Sequence, residues 1–246
     1  MIYYTGDLHG DVSRVVKWIR SVKESEKESR NQEVYLIQMG DAGLNYYLDE
    51  RDCALKGRLQ DAINAAGEKG LRIRILFIKG NHDCRPGMVK GYRLKDFGGS
   101  QAWAEEKFPD LIFLRDGQIY QVEGKRFLVI GGGYSADFFM RILRGEGYWF
   151  DEQLREEEFW KIRKEVQSVK YPIYVLSHML PFYMAPWRKE KELLFTRETR
   201  TELWLQTISC QIEEHVVKWI AGHYHFNRII PDSPYEVIYD RIKKLE

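Results

Sequence analysis

The sequence predicts an α/β fold built on a mixed sheet or a pair of sheets, and three observations predict it. Up to residue 79, short runs rich in Ile, Val, Leu and Tyr alternate with longer polar stretches of helical spacing. That order, strand–helix–strand–helix–strand, is what parallel βαβ units produce. From residue 111 to 133 the apolar runs crowd together around Asp116-Gly117 and Glu123-Gly124, which are hairpin signals and imply an antiparallel section. Two charged, helix-like stretches then alternate with two further apolar runs.

The elements follow in order. Strands are expected at Ile2–Thr5 and at residues 34–39, 73–79, 111–114 and 126–130, then at Ile173–Ser177 and Val216–Ala221. After the first strand, Val12, Val15, Val16, Ile19 and Val22 recur on one helical face, and the charge run at 21–30 is its solvated end. A second helix is expected over 52–69, with Leu55, Leu59, Ile63 and Ala66 as its apolar stripe. Charged helices are expected over 152–169 and 198–214. No Pro/Ser-rich linker, repeat or low-complexity tract divides the chain, so residues 1–246 are expected to form one domain.

Composition narrows the function classes. The chain has 246 residues, enough to bury a sizeable core, and 44% of them are hydrophobic, as in ordinary globular proteins. Its net charge of +1 removes the global basic field that would announce nucleic acid, although a local patch stays open. The three cysteines are widely spaced and form no CxxC pair, which argues against a disulfide framework or a thiolate zinc site and suits a reducing compartment. Met1 runs directly into the first strand, leaving no room for a secretory leader, and no apolar run approaches the roughly 18 residues that span a bilayer. A cytoplasmic protein without a membrane segment is expected.

The unusual residues fall at strand ends. The first strand ends in Gly6-Asp7-Leu8-His9-Gly10, the second in Gly40-Asp41-Ala42-Gly43 and the third in Gly80-Asn81-His82-Asp83. Later strands end in Ser177-His178 and in Gly222-His223-Tyr224-His225. Of the six histidines, only His215 lies elsewhere. A Gly-Asp pair alone is usually a turn, and a lone histidine usually a packed or capping residue; five strand ends that all carry Asp, Asn or His are not explained that way. Open α/β sheets bind ligands at the carboxyl ends of their strands. Asp7 and His9, two residues apart, would share one side of an extended backbone and grip one ion.

Carboxylate, imidazole and carboxamide without thiolate suit Mn, Fe, Zn or Ni better than Ca or Mg, and Mn is favoured here. Asp7, His9, Asp41, Asn81, His178, His223 and His225 are too many ligands for one ion and suit two that share a bridge. Two ions roughly 3.5–4 Å apart can clamp a phosphoryl group and generate hydroxide near neutral pH. His82 is placed to protonate the leaving oxygen, with Asp83 as the carboxylate that orients it. The expected chemistry is phosphoester hydrolysis.

These five blocks resemble those of the calcineurin-like metallophosphoesterases, DxH, GDxx, GNH[DE], [GTS]H and GHxH, in the same order from Asp7 to His225. The resemblance implies a four-layer α/β/β/α sandwich with a dinuclear site at the strand ends. It implies Asp7, His9 and His225 at one metal, Asn81, His178 and His223 at the other, Asp41 bridging, His82 as proton donor and Asp83 as its partner. Residues 131–152, GGGYSADFFMRILRGEGYWFDE, further resemble a subgroup of small bacterial and phage enzymes labelled serine/threonine phosphatase-like. That favours a phosphomonoesterase, phosphoproteins included. A phosphodiesterase acting on cyclic nucleotides or nucleic acid is the alternative, and a non-catalytic scaffold on this fold a third reading. The aromatic and basic residues from Tyr183 to Lys191 are where nucleic acid would bind.

One departure stands out. Protein phosphatases of this type carry GDxVDRG, whose arginine grips phosphate, whereas here Gly43, Leu44 and Asn45 follow Ala42. Arg85 and Arg141 are the candidate replacements, with Arg144 behind them. Ser135 and Asp137 are either pocket polar groups or helix caps.

Overall fold

The computed structural model describes residues 1–25, 33–68, 70–186 and 200–246. Among these described residues thirteen strands and five α-helices run in the order β1 (Ile2–Thr5), α1 (Ser13–Ser25), β2 (Glu33–Gln38), α2 (Glu50–Gly67), β3 (Arg72–Phe77), β4 (Tyr92–Phe97), β5 (Ser100–Glu105), β6 (Phe108–Phe113), β7 (Ile119–Val122), β8 (Lys125–Ile130), α3 (Phe138–Leu143), α4 (Glu156–Val166), β9 (Ile173–Ser177), α5 (Arg200–Ile212), β10 (Val216–Ala221), β11 (Arg228–Ile229), β12 (Tyr235–Val237) and β13 (Ile242–Lys244). They form two mixed sheets, ordered β13-β1-β2-β3-β6-β5-β4 and β11-β12-β10-β9-β8-β7. Parallel pairing joins β1, β2, β3 and β6 in the first sheet and β8, β9, β10 and β12 in the second. Antiparallel strands close the edges.

The alternation of side chains along each strand makes the layers. On β2, Val34 and Leu36 face α1 and α2, while Tyr35 and Ile37 face the second sheet. On β9, Tyr174 and Leu176 face the first sheet, while Ile173 and Val175 face α4 and α5. Central strands buried on both faces must be apolar throughout, which is why they stand out as unbroken runs in the sequence. The helices cover the outer faces: Val15, Ile19, Leu59 and Ile63 on one side, Phe159, Ile162, Leu205 and Ile208 on the other. The result is the expected α/β/β/α sandwich.

Three differences from the sequence expectations have physical causes. The antiparallel section starts earlier, at the β4–β5 hairpin, whose turn is Gly98-Gly99 with φ of 56° and 81°. This is the two-residue turn that favours positive φ at both positions, in strands too polar to show as an apolar run. Helix α4 starts at Glu156 rather than at 152, because residue 152 is held in a loop: its carbonyl accepts from Lys79 Nζ at 2.6 Å and from Gly133 N at 3.1 Å. The short β11, β12 and β13, unexpected from sequence, close the edges of the two sheets. Within the stretch from Tyr183 to Lys191, residues 187–191 lie outside the described residues, as do residues 26–30 of the charge run. Among the described residues no helix is long and apolar enough to cross a membrane.

Candidate metal centre

Each of the five polar blocks leaves the carboxyl end of a parallel strand, three from the first sheet and two from the second. The sandwich brings the two sets face to face. The turns are unusual: His9, Asp41, His223 and His225 all have positive φ, at 45°, 55°, 68° and 53°. Left-handed backbone in residues other than glycine costs energy and gathers where function requires it. His9 therefore meets Asp7 through a tight turn after the strand has ended, and not by sharing one side of an extended strand as the sequence suggested.

Two groups of donor atoms result. Asp7, His9 and His225 form one: Asp7 Oδ2 lies 3.2 Å from His225 Nε2 and 3.8 Å from His9 Nε2, and the two imidazole nitrogens are 3.0 Å apart. Asp7, Asp41 and His178 form the other, with all ligand atoms within 4.8 Å of one another. Asp41 Oδ2 is 3.4 Å from His178 Nε2 and 4.0 Å from His82 Nε2. Asn81 Oδ1 lies 2.8 Å from His178 Nε2 and 3.1 Å from His223 Nδ1. In the free side chains Asp7, rather than Asp41, is common to both groups.

The chemistry of this donor set fits divalent cations. Asp7 Oδ2 is buried and has no hydrogen-bond partner. It faces imidazole nitrogens that face one another, an arrangement of lone pairs that a cation satisfies better than protons do. His178 Nδ1 lies 2.8 Å from the Met39 carbonyl, which can only accept, so the proton sits on Nδ1 and Nε2 is turned to the cluster. Space is reserved as well: a Cβ on Gly40 would come within 2.3 Å of His178 Nδ1, and one on Gly222 within 2.5 Å of Asp7 Oδ1.

The electrostatics are those of a buried, tightly coupled cluster. Burial opposes charge on both Asp41 and His178, yet their pairing wins: Asp41 is held well below the usual carboxylate range, and His178 is pushed up to about 9. Burial and the neighbouring His178 drive His223 down to about 3, so it is neutral. Burial also lowers His82, opposed by Asp41 and assisted by Arg141. The Asp7 carboxylate, with Oδ2 3.2 Å from its Nε2, raises His225, which stands on the solvent side of the cluster.

A family model for calcineurin-like phosphoesterases matches residues 1–227. The chain belongs to the calcineurin-like phosphoesterase family. The matched span begins with the first strand and ends two residues beyond His225, so it encloses all five blocks. Among solved structures, phosphopantetheinyl hydrolase from Mycobacterium tuberculosis aligns over 97% of this chain and 89% of its own, at 13% identity and a TM-score of 0.41. No curated protein matches.

The seven residues expected as metal ligands all lie in the cluster, and of the four other predicted residues His82 stands beside it, while Asp83, Arg85 and Arg141 each behave differently. Among the described residues no hydrogen bond or ion pair joins Asp83 to the His82 ring. Its carboxylate accepts from the backbone N–H groups of Asp41 and Gly80, both at 2.9 Å, and of Gly43 at 3.2 Å. It pins the two metal-site loops together, and the carboxylate nearest His82 belongs to Asp41. Arg85 is committed elsewhere: its guanidinium pairs with Asp151 at 2.5 Å, Glu158 at 3.0 Å and Asp116 at 3.2 Å, which leaves it no free edge for phosphate. Arg141 is 2% exposed and lies beside the cluster, its guanidinium 5.6 Å from the centre of the Tyr46 ring, which neighbours His82.

Several supporting residues were not singled out from the sequence. Arg14 Nη2 holds the Asp7 carbonyl at 2.9 Å, Tyr239 stacks on His225 at 4.7 Å, and Trp149 Nε1 donates to the His82 carbonyl at 3.3 Å. Arg14 and Tyr239 stand in no recognisable motif, because each acts through a distant fold contact, whereas Trp149 lies in the 131–152 segment. Ser135 proves to be a polar group of the site, accepting from Asn81 Nδ2 at 2.8 Å, whereas Asp137, at the start of α3, makes no side-chain cap.

Proposed function

We propose that this chain is a dinuclear metal-dependent phosphoesterase that works as a phosphatase on phosphate monoesters. The observation that carries the proposal is the convergence of seven carboxylate, carboxamide and imidazole side chains from five strand ends on one cluster. Asp7, His9 and His225 would hold one ion, Asn81, His178 and His223 the second, with Asp41 between them; Mn is the favoured ion. Bound divalent ions would supply Lewis-acid polarisation of the phosphoryl group and a nucleophilic hydroxide near neutral pH.

The chain's own residues do the rest. His82 protonates the leaving oxygen: its backbone N–H is fixed by Asp41 Oδ1 at 2.8 Å and its carbonyl by Trp149, so the imidazole is carried by a braced backbone. Because burial lowers the His82 pKa, its proton is given up readily. Asp83 keeps the loops of Asp41 and Asn81 in register. The monoesterase reading is supported by the resemblance of residues 131–152 to the phosphatase-like subgroup; a diesterase is the second outcome of the same assay.

Mn-dependent hydrolysis of p-nitrophenyl phosphate and of its bis ester tests both levels. Asp41→Ala and His82→Ala should each abolish hydrolysis, with the monoester the faster substrate of the wild type. Full activity in both variants would overturn the phosphoesterase proposal, and a faster bis ester would replace phosphatase with diesterase.

A further inference from the structure

Arg85 and Arg141 are both buried beside the site, but their charges are compensated very differently. Arg85 faces three carboxylates. Arg141, 2% exposed, has none within ion-pair distance among the described residues. Its Nη1 donates to Ser135 Oγ at 3.3 Å, its Nη2 donates to the Gly147 carbonyl, and its Nε is buried with no partner at all. A guanidinium has five N–H donors and no acceptor, so most of its donors stay unused. A buried cation without a counter-charge is costly and seldom retained unless an anion is to meet it.

Its position identifies the anion. Ser135 Oγ receives Arg141 on one side and Asn81 Nδ2, at 2.8 Å, on the other, so a single hydroxyl separates the guanidinium from the metal-ligand carboxamide. On another side Arg141 lies over Tyr46, whose ring centre is 6.4 Å from that of His82, and its charge is felt by the His82 imidazole. Burial does not separate it from the reacting centre, because Asp7, Asp41 and Asn81 are buried to the same degree. The same hydroxyl also sets the Asn81 amide: with Nδ2 donating to Ser135, Oδ1 must turn towards His178 and His223.

We propose that Arg141 is the phosphate-holding cation of this site, and that Ser135 is a positioning residue that links it to Asn81 and so ties phosphate binding to metal holding. This rests on the metallophosphoesterase reading given above. It also assigns the 131–152 segment its task, supplying from α3, which follows β8, the cation that the Gly40-Asp41-Ala42-Gly43 block lacks.

Calorimetric titration of the Mn-loaded protein with inorganic phosphate, and of metal-stripped protein with Mn2+, separates the roles. Arg141→Gln should weaken phosphate binding by about 10- to 100-fold, as loss of charged hydrogen bonds does, while changing Mn affinity less than about threefold. Ser135→Ala should weaken the lower-affinity Mn site by about 10- to 100-fold, the usual effect of removing the partner of a ligand. Arg141→Lys keeps the charge and loses the fork; a phosphate affinity about 3- to 10-fold below wild type is expected, and it stands in if the Gln variant fails to fold by circular dichroism. Phosphate affinity within twofold of wild type in either Arg141 variant would overturn the assignment, and unchanged Mn affinity in Ser135→Ala would overturn the link. A wild-type chain that binds no Mn2+ would instead overturn the reading on which both rest.

Discussion

Replacing Gly80 with alanine would put a methyl carbon where Asp41 already lies. That carbon would sit 1.9 Å from Asp41 Oδ1 and 2.1 Å from its backbone nitrogen, against the roughly 3.5 Å at which carbon and neighbouring heavy atoms rest. Relief therefore demands a displacement of more than about 1 Å. Neither partner is free to give way, because Asp83 Oδ2 holds both the Asp41 and the Gly80 amide at 2.9 Å. Overpacking of this kind destabilises by about 1–3 kcal/mol, and a 1 Å error in a catalytic group costs on the order of 10²-fold in rate. Gly80→Ala should thus lose about 10²-fold in Mn-dependent hydrolysis of p-nitrophenyl phosphate while still melting cooperatively. Gly57, inside α2 with nothing within 4 Å of its added carbon, is the control. There alanine should stabilise by about 0.5–1 kcal/mol and leave the rate unchanged. A Gly80→Ala enzyme within threefold of wild type would refute the view that this glycine exists to admit Asp41.

Because His178 is raised to about 9, it is protonated at pH 7.5, and a bound cation must displace that proton. Mn2+ titrations in two buffers of different ionisation enthalpy should show net proton release, and apparent affinity should fall as pH falls; equal heats in both buffers would contradict this. His223 is neutral in the fold down to about 3 but titrates near 6.5 when unfolded, so its contribution to stability is present above about 6.5 and lost as pH falls towards 3. His178 works in the opposite sense: its contribution is present below about 6.5 and lost as pH rises towards 9. Melting temperature of the metal-stripped protein should pass through a maximum between these limits, and a monotonic rise from pH 4 to 9 would contradict the assignments. Arg85→Ala should strand Asp116, Asp151 and Glu158 and destabilise by about 2–3 kcal/mol, discounted for partial exposure, with kcat/KM changed by less than about threefold. A large loss of activity at unchanged stability would return Arg85 to the site.

How legible each part was depended on the range of the interaction. The buried parallel strands and the apolar stripes of α1 and α2 were plain in the sequence, since burial on both faces forces continuous apolar runs and burial on one forces helical spacing. The β4–β5 hairpin was not, because YRLKDF and SQAWAE are half exposed and only Gly98-Gly99 marks the turn. At the site, the ligand-type residues were legible because each stands within four residues of its strand's end. Their supporting contacts were not: Arg85 looked available until three carboxylates from residues 116, 151 and 158 closed on it, and Asp83 looked like a partner of its neighbour His82 until the fold brought it the amides of residues 41 and 43. Ser135 reads equally well as a cap or a pocket group until Asn81, 54 positions away, donates to it.

The central claim is that two ions at this cluster carry out phosphoester hydrolysis, and Mn2+ titration of the metal-stripped chain, followed by calorimetry and by p-nitrophenyl phosphate turnover in the same samples, tests it most directly. Two Mn2+ per chain, with turnover rising as the second site fills and abolished in Asp7→Asn, is the predicted result. Absence of bound Mn2+, or full turnover in the presence of excess chelator, would contradict it.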